Sequence, residues 1–420
     1  MIAEEIIEKL TERLVERITR ANLFVIKKIA KKIKEIGEML PSNAYDIMQI
    51  MNYGGDLDEI VKELAKATEL NKKDIYKIFE EVTKNDQNFA KKFYEYKGKK
   101  FIPWEENDVL RNEVEILARQ TANTYNNISD TRGIGYTIKE IGSDGKPKVI
   151  FRNVSDTYRN VVDEAIVSVS EGRTTYDEEM ARIMKEIGRS GLKYVDYESG
   201  YHRRLDSAIA MNLNDGLKQL HNRTQEIFGE EFGSDGIEVS VHLNPAPDHQ
   251  DVQGKQFSTI KPSKDELSEW EKFQNDEDCV SYDGEEFTAD YDGRDRRSIS
   301  EYNCKHYIFA ILLDISKPQY SNEELKKIKD KANEEIEFEG KKYTMYEATQ
   351  LQRHIELEIR KNKDIQIMGV ESNNKGLIED SERKIDQLTD KYYELSKISG
   401  LPTKLERLQV PGYRQVEVNK

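Results

Sequence analysis

The sequence has little cysteine and no long apolar run, and these absences exclude several classes of protein. Its 420 residues include two cysteines, Cys279 and Cys304. Two cysteines are too few for a disulfide framework, so a reducing compartment such as the cytoplasm is expected. No apolar run approaches the roughly 18 residues of a membrane span, and the charged, amphipathic start Met1-Ile-Ala-Glu-Glu5 does not resemble a secretory signal. No membrane partner is expected.

Phosphate-binding loops are also missing. The sequence contains neither Gly-x-x-x-x-Gly-Lys-Ser/Thr nor Gly-x-Gly-x-x-Gly after a strand, which argues against a motor ATPase. The net charge is −15, so the chain as a whole is not expected to bind nucleic acid or anionic lipid through bulk electrostatics. With 37% hydrophobic and 35% charged residues, it suits elongated, multi-domain helical parts better than one large globule.

Apolar spacing predicts a mainly α-helical protein. In residues 1–40, apolar residues recur at steps of three and four, which predicts one long helix; they are Ile7, Leu10, Leu14, Ala21, Val25, Ile29, Ile33 and Ile36. Further helices are expected at 57–68, 72–84, 105–127, 156–171, 176–189 and 201–228. Residues 346–363 and 378–398 are strongly charged and are expected to form an antiparallel helical hairpin.

Strand signals are confined to two places. Residues 136–141 and 148–151 flank a turn containing Asp-Gly and are expected to form a β-hairpin. Residues 237–242 alternate as a strand does, and 307–313 form a short apolar run typical of a buried strand. We therefore expect a small α+β module at 233–318, flanked by a helical region at 1–130, a hairpin and helices at 131–232, and a helical hairpin with a tail at 319–420.

The first helix carries a basic cluster, Lys27, Lys28, Lys31, Lys32 and Lys34, beside its apolar stripe. The stripe is typical of ordinary helix packing, and a contact with another subunit is the alternative, towards which we lean for this helix. The lysines are expected to be solvated. The alternative is that the lysines contact DNA, as in an internal DNA-organising protein.

The small module contains four side chains of the types that bind zinc: His242, His249, Cys304 and His306. Their spacing matches no standard zinc finger and includes no Cys-x-x-Cys. We expect no metal here. Cys304 would be a small buried hydrophobe, and His249 and His306 would tie a polar loop to the strand by hydrogen bonds. The enzyme alternative is a metal- or thiol-dependent hydrolase centred on His249, Cys304 and His306, but no nucleophile elbow is present.

Four segments, in this order and spacing, resemble the phage minor capsid protein 2 family, which is related to Mu F-type head-morphogenesis proteins. They run from Tyr197 to Ala208, from Asn244 to Ser258, from Asn303 to His306 and from Tyr343 to Arg353. The residues that carry the motif are His249, Gln253, Gly254, Lys255, Asn303, Cys304, His306, Tyr346, Gln350 and Arg353.

The resemblance implies a structural virion protein at the portal vertex of a tailed phage, on the inner face of the capsid, assembled in the host cytoplasm. The portal protein is the expected partner, with the major capsid protein and packaged DNA as further ones. Neither catalysis nor a cofactor is expected. The sequence departs from the family at Val252, where tryptophan is usual, and at Ala310 and Leu313, where proline and glycine are usual.

The fourth segment places Tyr346, Gln350 and Arg353 on one helical face, at steps of four and three. Such a face can dock onto the small module or onto another subunit. Docking within the chain is favoured.

Overall fold

The computed structural model describes residues 2–38, 53–123, 133–141, 146–170, 176–195, 202–299, 304, 306–411 and 413. The turn expected at 142–145, the start of the motif at Tyr197 and the motif residue Asn303 lie outside them. The described chain is mainly α-helical with short strands, which confirms the predicted fold class.

Long helices dominate the first half of the described chain. They are α1 (Ile2–Gly37), α2 (Tyr53–Lys97), α3 (Asp108–Asn123), α4 (Val154–Ser170), α5 (Tyr176–Ser190) and α6 (Leu205–Phe232). The second half contains α7 (Glu269–Gln274), α8 (Asn322–Ala332), α9 (Met345–Glu371) and α10 (Lys375–Ser399). Short 3₁₀ turns lie at Trp104–Glu106, Pro247–His249 and Leu405–Leu408.

The strands form small antiparallel sheets. The first has the order β2-β1-β3-β4 and consists of β1 (Ile134–Ile141), β2 (Pro147–Asn153), β3 (Lys193–Val195) and β4 (His202–Arg204). Ile138 pairs with Ile150, which confirms the predicted hairpin. The second has the order β11-β5-β6 and consists of β5 (Gly236–Val239), β6 (Gln256–Ser258) and β11 (Ile308–Ile311). Two-stranded ribbons are β7 with β8 (Cys279–Val280, Glu286–Phe287), β9 with β10 (Asp290–Tyr291, Arg294–Asp295) and β12 with β13 (Glu335–Phe338, Lys341–Thr344).

Several predicted element boundaries were wrong. Strands β5 and β11 end at Val239 and Ile311, before the expected residues 242 and 313, and α9 continues past residue 363 to Glu371. Two further errors have a visible cause. The helices expected at 57–68 and 72–84 are one helix, α2. The break was expected near Asn71, but Asn71 is fully buried and its side chain donates to the carbonyl of Leu14 at 3.2 Å. The helix expected from residue 201 begins at Leu205, because 202–204 pair with β3 as an edge strand.

The ribbon of β12 and β13 was not expected from the sequence. Its turn consists of Glu339 and Gly340, both at positive φ (49° and 74°). Such two-residue turns match the twist of paired strands.

The chain folds into two compact units, each built from separate stretches of sequence. The first unit contains Met1–Leu10, Asp74–Thr121 and Met211–Gln350. The second unit contains Thr11–Lys73, Ala122–Ala210 and Leu351–Lys420. The four sequence regions proposed above stay a prediction.

The apolar stripe of α1 belongs to the core of the second unit. Leu14, Val25 and Ile29 are each at most 1% exposed, and the carbonyl of Ile33 accepts a hydrogen bond of 2.6 Å from the Tyr176 hydroxyl. The expectation that this stripe contacts another subunit was therefore wrong. An apolar helix face this long is buried inside its own unit because that removes the most apolar surface from water.

The lysines of α1 are ion-paired within the same unit. Lys27 lies 2.7 Å from Glu371, and Lys28 and Lys32 lie 3.0 and 3.2 Å from Asp56. Burial alone would raise the pKa of Asp56, but hydrogen bonds from Tyr158 and the two lysines outweigh burial and lower it to about 2. Much of the cluster's positive charge is thus neutralised internally.

The helices α9 and α10 pack as the predicted antiparallel hairpin. The Gln352 amide donates to the Ser396 hydroxyl at 2.9 Å, and one turn further the Tyr392 hydroxyl donates to Glu356 at 3.3 Å. The two pairs step in opposite directions along the chain, which confirms the antiparallel arrangement.

A network of four charged side chains lies in the second unit. Asp206 contacts Arg204 at 3.3 Å and Arg360 at 3.0 Å, and Asp364 lies 3.7 Å from Arg204. Burial would raise the pKa of Asp206, but the two guanidinium groups outweigh it and lower it to about 2. For Asp364, burial and the neighbouring Asp206 charge outweigh Arg204 and raise the pKa to about 6. Asp206 therefore stays ionised down to strongly acidic pH, whereas Asp364 takes up a proton near pH 6.

We expect Asp364→Asn to remove a pH dependence of stability. A carboxyl whose pKa is raised on folding stabilises the protein fully below its unfolded pKa, near 3.8, and loses that contribution as pH rises through about 6. The unfolding free energy of the variant should therefore rise relative to wild type by about 2 kcal/mol between pH 4 and pH 7. Urea unfolding at several pH values measures this difference, and a difference independent of pH contradicts the assignment.

Candidate functional site

The candidate site lies in the first unit, on the sheet of β11, β5 and β6. Strands β5 and β6 are joined by residues 240–255, which contain the Pro247–His249 turn. Beneath them lies an apolar core that includes Val239, Val252, Phe257 and Ile308. Cys304 and Cys279 are both free thiols, and both are buried in this core.

His221 of α6 fixes the strand that follows the site. Its Nδ1 lies 2.8 Å from the Asp86 carboxylate, and its Nε2 lies 2.8 Å from the carbonyl of Ile308 at the start of β11. Burial opposes the charged imidazole, but Asp86 outweighs burial, so the pKa of His221 is raised above 6.5. The resulting stabilisation is fully present below pH 6.5 and is lost as pH rises through the folded-state pKa.

His249, Cys304 and His306 converge at the edge of the module core. The Cys304 Sγ atom lies 3.7 Å from His249 Nδ1 and 3.5 Å from His306 Nδ1. One ligand atom from each side chain lies within 4.8 Å of the others, and all three residues are buried. His242 is half-buried, with its ring edge-on to His306 at a centroid distance of 4.8 Å.

A second layer of contacts orients the two imidazoles. His249 Nε2 lies 2.8 Å from the carbonyl oxygen of Arg297, and His306 Nε2 lies 3.4 Å from Gln253 Oε1. The Arg297 guanidinium makes a bidentate salt bridge with Asp248 at 2.6 and 2.8 Å. Because Asp248 precedes His249 in the same loop, this salt bridge holds the Arg297 carbonyl close to His249. Both rings therefore turn their Nδ1 atoms towards Cys304.

The electrostatic surroundings keep His306 neutral. Burial, together with His242, His249 and Lys218, lowers the pKa of His306 to about 2. Lys218, which is itself buried, has a lowered pKa because of burial. Lys218 and Arg297 both interact electrostatically with Cys304.

The burial of the cluster limits its chemistry. Cys304, His249 and His306 are 4%, 1% and 2% exposed, so no substrate-sized molecule reaches the sulfur without movement of the loop. A thiol nucleophile needs access as well as a nearby base. The arrangement can hold a hydrogen-bonded network or a metal ion, and it does not present an open nucleophile.

Gly254 and Lys255 extend the motif along the same loop. Gly254 has a φ of +71°, and an added Cβ would lie 2.5 Å from Leu325, so both its conformation and its neighbour require glycine. Lys255 is 6% exposed, and its Nζ atom contacts Asp283 at 2.9 Å and Asn322 at 3.0 Å. These contacts tie the loop to the acidic segment before β8 and to the start of α8.

The other motif residues are not part of the cluster. Tyr346 is half-buried at the start of α9 and interacts electrostatically with Arg297. In the same turn of helix, Thr349 accepts a hydrogen bond from the Asn244 amide at 3.3 Å. Gln350 is exposed, and Arg353 belongs to the second unit. Docking of the whole predicted face stays a prediction.

The departures from the family pattern fit the core. Val252 is fully buried. Leu313 packs against Gly236, where a Cβ would lie 2.5 Å from its side chain, and a Cβ on Gly229 would lie 3.2 Å from Ala310. Gly236 and Gly229 therefore leave room for Leu313 and Ala310, the residues that depart from the family pattern.

Sequence reasoning did not single out His221, Lys218 or the Asp248–Arg297 pair. His221 and Asp86 are 135 residues apart, and a lone histidine or lysine on a helix carries no signal of a distant partner. Arg297 follows an acidic stretch that is typical of a solvated surface, and only the fold brings it back to Asp248.

The whole chain was also compared with known proteins. The sequence profile of the family described as phage minor capsid protein 2 matches residues 2–395. Among curated proteins and solved structures, none matches the chain. The profile spans most of both units, so the similarity extends well beyond the small module.

We expect His221→Phe to destabilise the protein. Phenylalanine keeps the aromatic volume but leaves the Asp86 carboxylate, 5% exposed, without its imidazole partner. Breaking one side of such a buried pair costs about 3–5 kcal/mol, measurable as a lower midpoint in urea. The matched control is His354→Phe, at an exposed position, which should change stability by less than about 0.5 kcal/mol. Equal behaviour of the two variants contradicts the anchoring role of His221.

Proposed function

Because the chain belongs to the phage minor capsid protein 2 family, we propose that it is a structural protein of the tailed-phage head that binds the portal vertex from the inside. The observation that carries this proposal is the family match over residues 2–395. The family name itself states a minor capsid protein, and the portal position is the step beyond it. The major capsid protein and packaged DNA are further partners in the proposed assembly.

The proposed role is structural, without catalytic turnover. The burial of Cys304, His249 and His306 supports this, because a hydrolase needs its nucleophile or metal open to substrate. None of the helices in the described part of the chain combines the length and apolarity that a membrane span needs.

The alternative of a DNA-organising protein draws less support from the structure. It relied on the basic cluster of α1, and Lys27, Lys28 and Lys32 are paired with carboxylates within the second unit. Paired lysines would have to exchange these partners for phosphate, which reduces the gain from counterion release.

We propose the hairpin of β1 and β2 as the surface that contacts the portal protein. Strand β2 lies at the edge of its sheet among the described residues, and Pro147–Ile150 are all exposed. Val149 is 65% exposed and Ile150 is 37% exposed. An exposed apolar edge strand is a template for pairing with another chain, and strand addition is a common way of joining proteins.

Co-expression with the cognate portal protein should give a complex in size-exclusion chromatography, and purified virions should contain the protein. Val149→Lys should weaken the complex at least tenfold, because a lysine would have to be desolvated at the contact. The matched control is Val109→Lys on α3, at an equally exposed valine (63%), which should leave the complex intact.

Different outcomes test the hairpin contact and the portal assignment. A normal complex with the Val149→Lys variant excludes the hairpin contact but leaves the portal assignment standing. Absence of a wild-type complex, together with absence from virions, excludes the portal assignment itself.

A further inference from the structure

We propose that His249, Cys304 and His306 form a zinc site in which the two Nδ1 atoms and the Cys304 sulfur bind one Zn²⁺. The sequence alone favoured a site without a metal, in which His249 and His306 tie a polar loop to the strand by hydrogen bonds. The geometry favours the metal, and the inference does not depend on where in the virion the protein lies.

The protons and lone pairs of the two imidazoles favour a metal ion. Each imidazole turns its Nε2 towards an oxygen acceptor, Arg297 O for His249 and Gln253 Oε1 for His306, so the Nε2 atoms carry the protons. Both Nδ1 lone pairs then face the Cys304 sulfur. A thiol has one proton and satisfies one of them. A cation between the three atoms satisfies all of them.

The distances between the Cys304 sulfur and the two Nδ1 atoms also fit a zinc ion. Zinc binds cysteine sulfur at about 2.3 Å and histidine nitrogen at about 2.0–2.1 Å in a tetrahedron, which separates sulfur from nitrogen by roughly 3.5 Å. The observed separations are 3.5 and 3.7 Å. A direct thiol–imidazole hydrogen bond accounts for one such contact, and a tetrahedral metal ion shared by the three side chains accounts for both.

The hydrogen bonds on the far side of each imidazole also match those of histidines that bind metals. Histidines that bind metal almost always donate their other ring N–H to a carbonyl or carboxylate, which fixes the ring. His249 does so to Arg297 O, and Gln253, which faces His306, is held by the backbone N–H of His242 at 2.9 Å. The buried Gln253 Nε2 has no hydrogen-bond partner among the described residues, so a donor is available for an oxygen ligand in the fourth position.

The chemistry of the ligands selects the metal. One thiolate and two neutral imidazoles suit zinc and exclude magnesium and calcium, which need oxygen ligands. On binding, Cys304 loses its thiol proton to solvent and the sulfur–metal bond forms. The metal would join the loop of His249 to the segment that leads into β11, a structural cross-link inside the module.

The test is the metal content of the full-length protein produced in medium with zinc and purified by gel filtration. Mass spectrometry of the metals should find one zinc ion per chain in wild type and loss of zinc in Cys304→Ser. The matched control is Cys279→Ser, which changes the other buried thiol of the same core and should retain the zinc.

A second measurement uses wild-type protein and so does not depend on whether the Cys304→Ser variant folds. Wild-type protein stripped of zinc and loaded with Co²⁺ should show the charge-transfer absorption of a cobalt thiolate, and chelation of zinc should lower its thermal midpoint. Zinc-free wild type whose cobalt form lacks that absorption overturns the proposal. So does zinc that is retained in folded Cys304→Ser protein.

Discussion

The buried contact of His221 with Asp86 and the Ile308 carbonyl anchors the small module to the helices of the first unit. It joins α2, α6 and the first residue of β11 through one side chain. Because Cys304 and His306 lie just before Ile308, the same contact sets where the cysteine and histidine arrive. The three-stranded sheet and the loop of residues 240–255 then supply His249 from the other side. The geometry of the cluster therefore depends on a charge pair that lies outside it.

Local pattern was enough to predict the elements whose cause is local. The spacing of Leu14, Val25 and Ile29 predicted α1, and the Asp-Gly turn predicted the β1–β2 hairpin. The errors arose where a contact with a residue distant in sequence determines the local structure. Asn71 stays helical because the Leu14 carbonyl accepts its amide proton, and no window around residue 71 contains that information.

The candidate site shows the same division. Its residue types could be read from the sequence, and the burial of Cys304 was expected because an apolar strand follows it. The direction of the imidazoles could not be read, because it follows from the Arg297 carbonyl and from Gln253, which only the fold brings near. The buried network of Arg204, Asp206, Arg360 and Asp364 was missed for the same reason, since its members are spread over 160 residues of chain.

The discontinuous make-up of the two units has a consequence for biosynthesis. The first unit needs residues up to Gln350, and the second unit needs α10, which ends at Ser399. The ribosome releases the chain from the N-terminus onwards, so the apolar face of α1 leaves the exit tunnel long before its partners in α9 exist. The core of the second unit therefore stays incomplete until α10 has left the tunnel, while the first unit can close once Gln350 is free. A host chaperone that shields α1 during that interval would directly raise the yield of assembled protein.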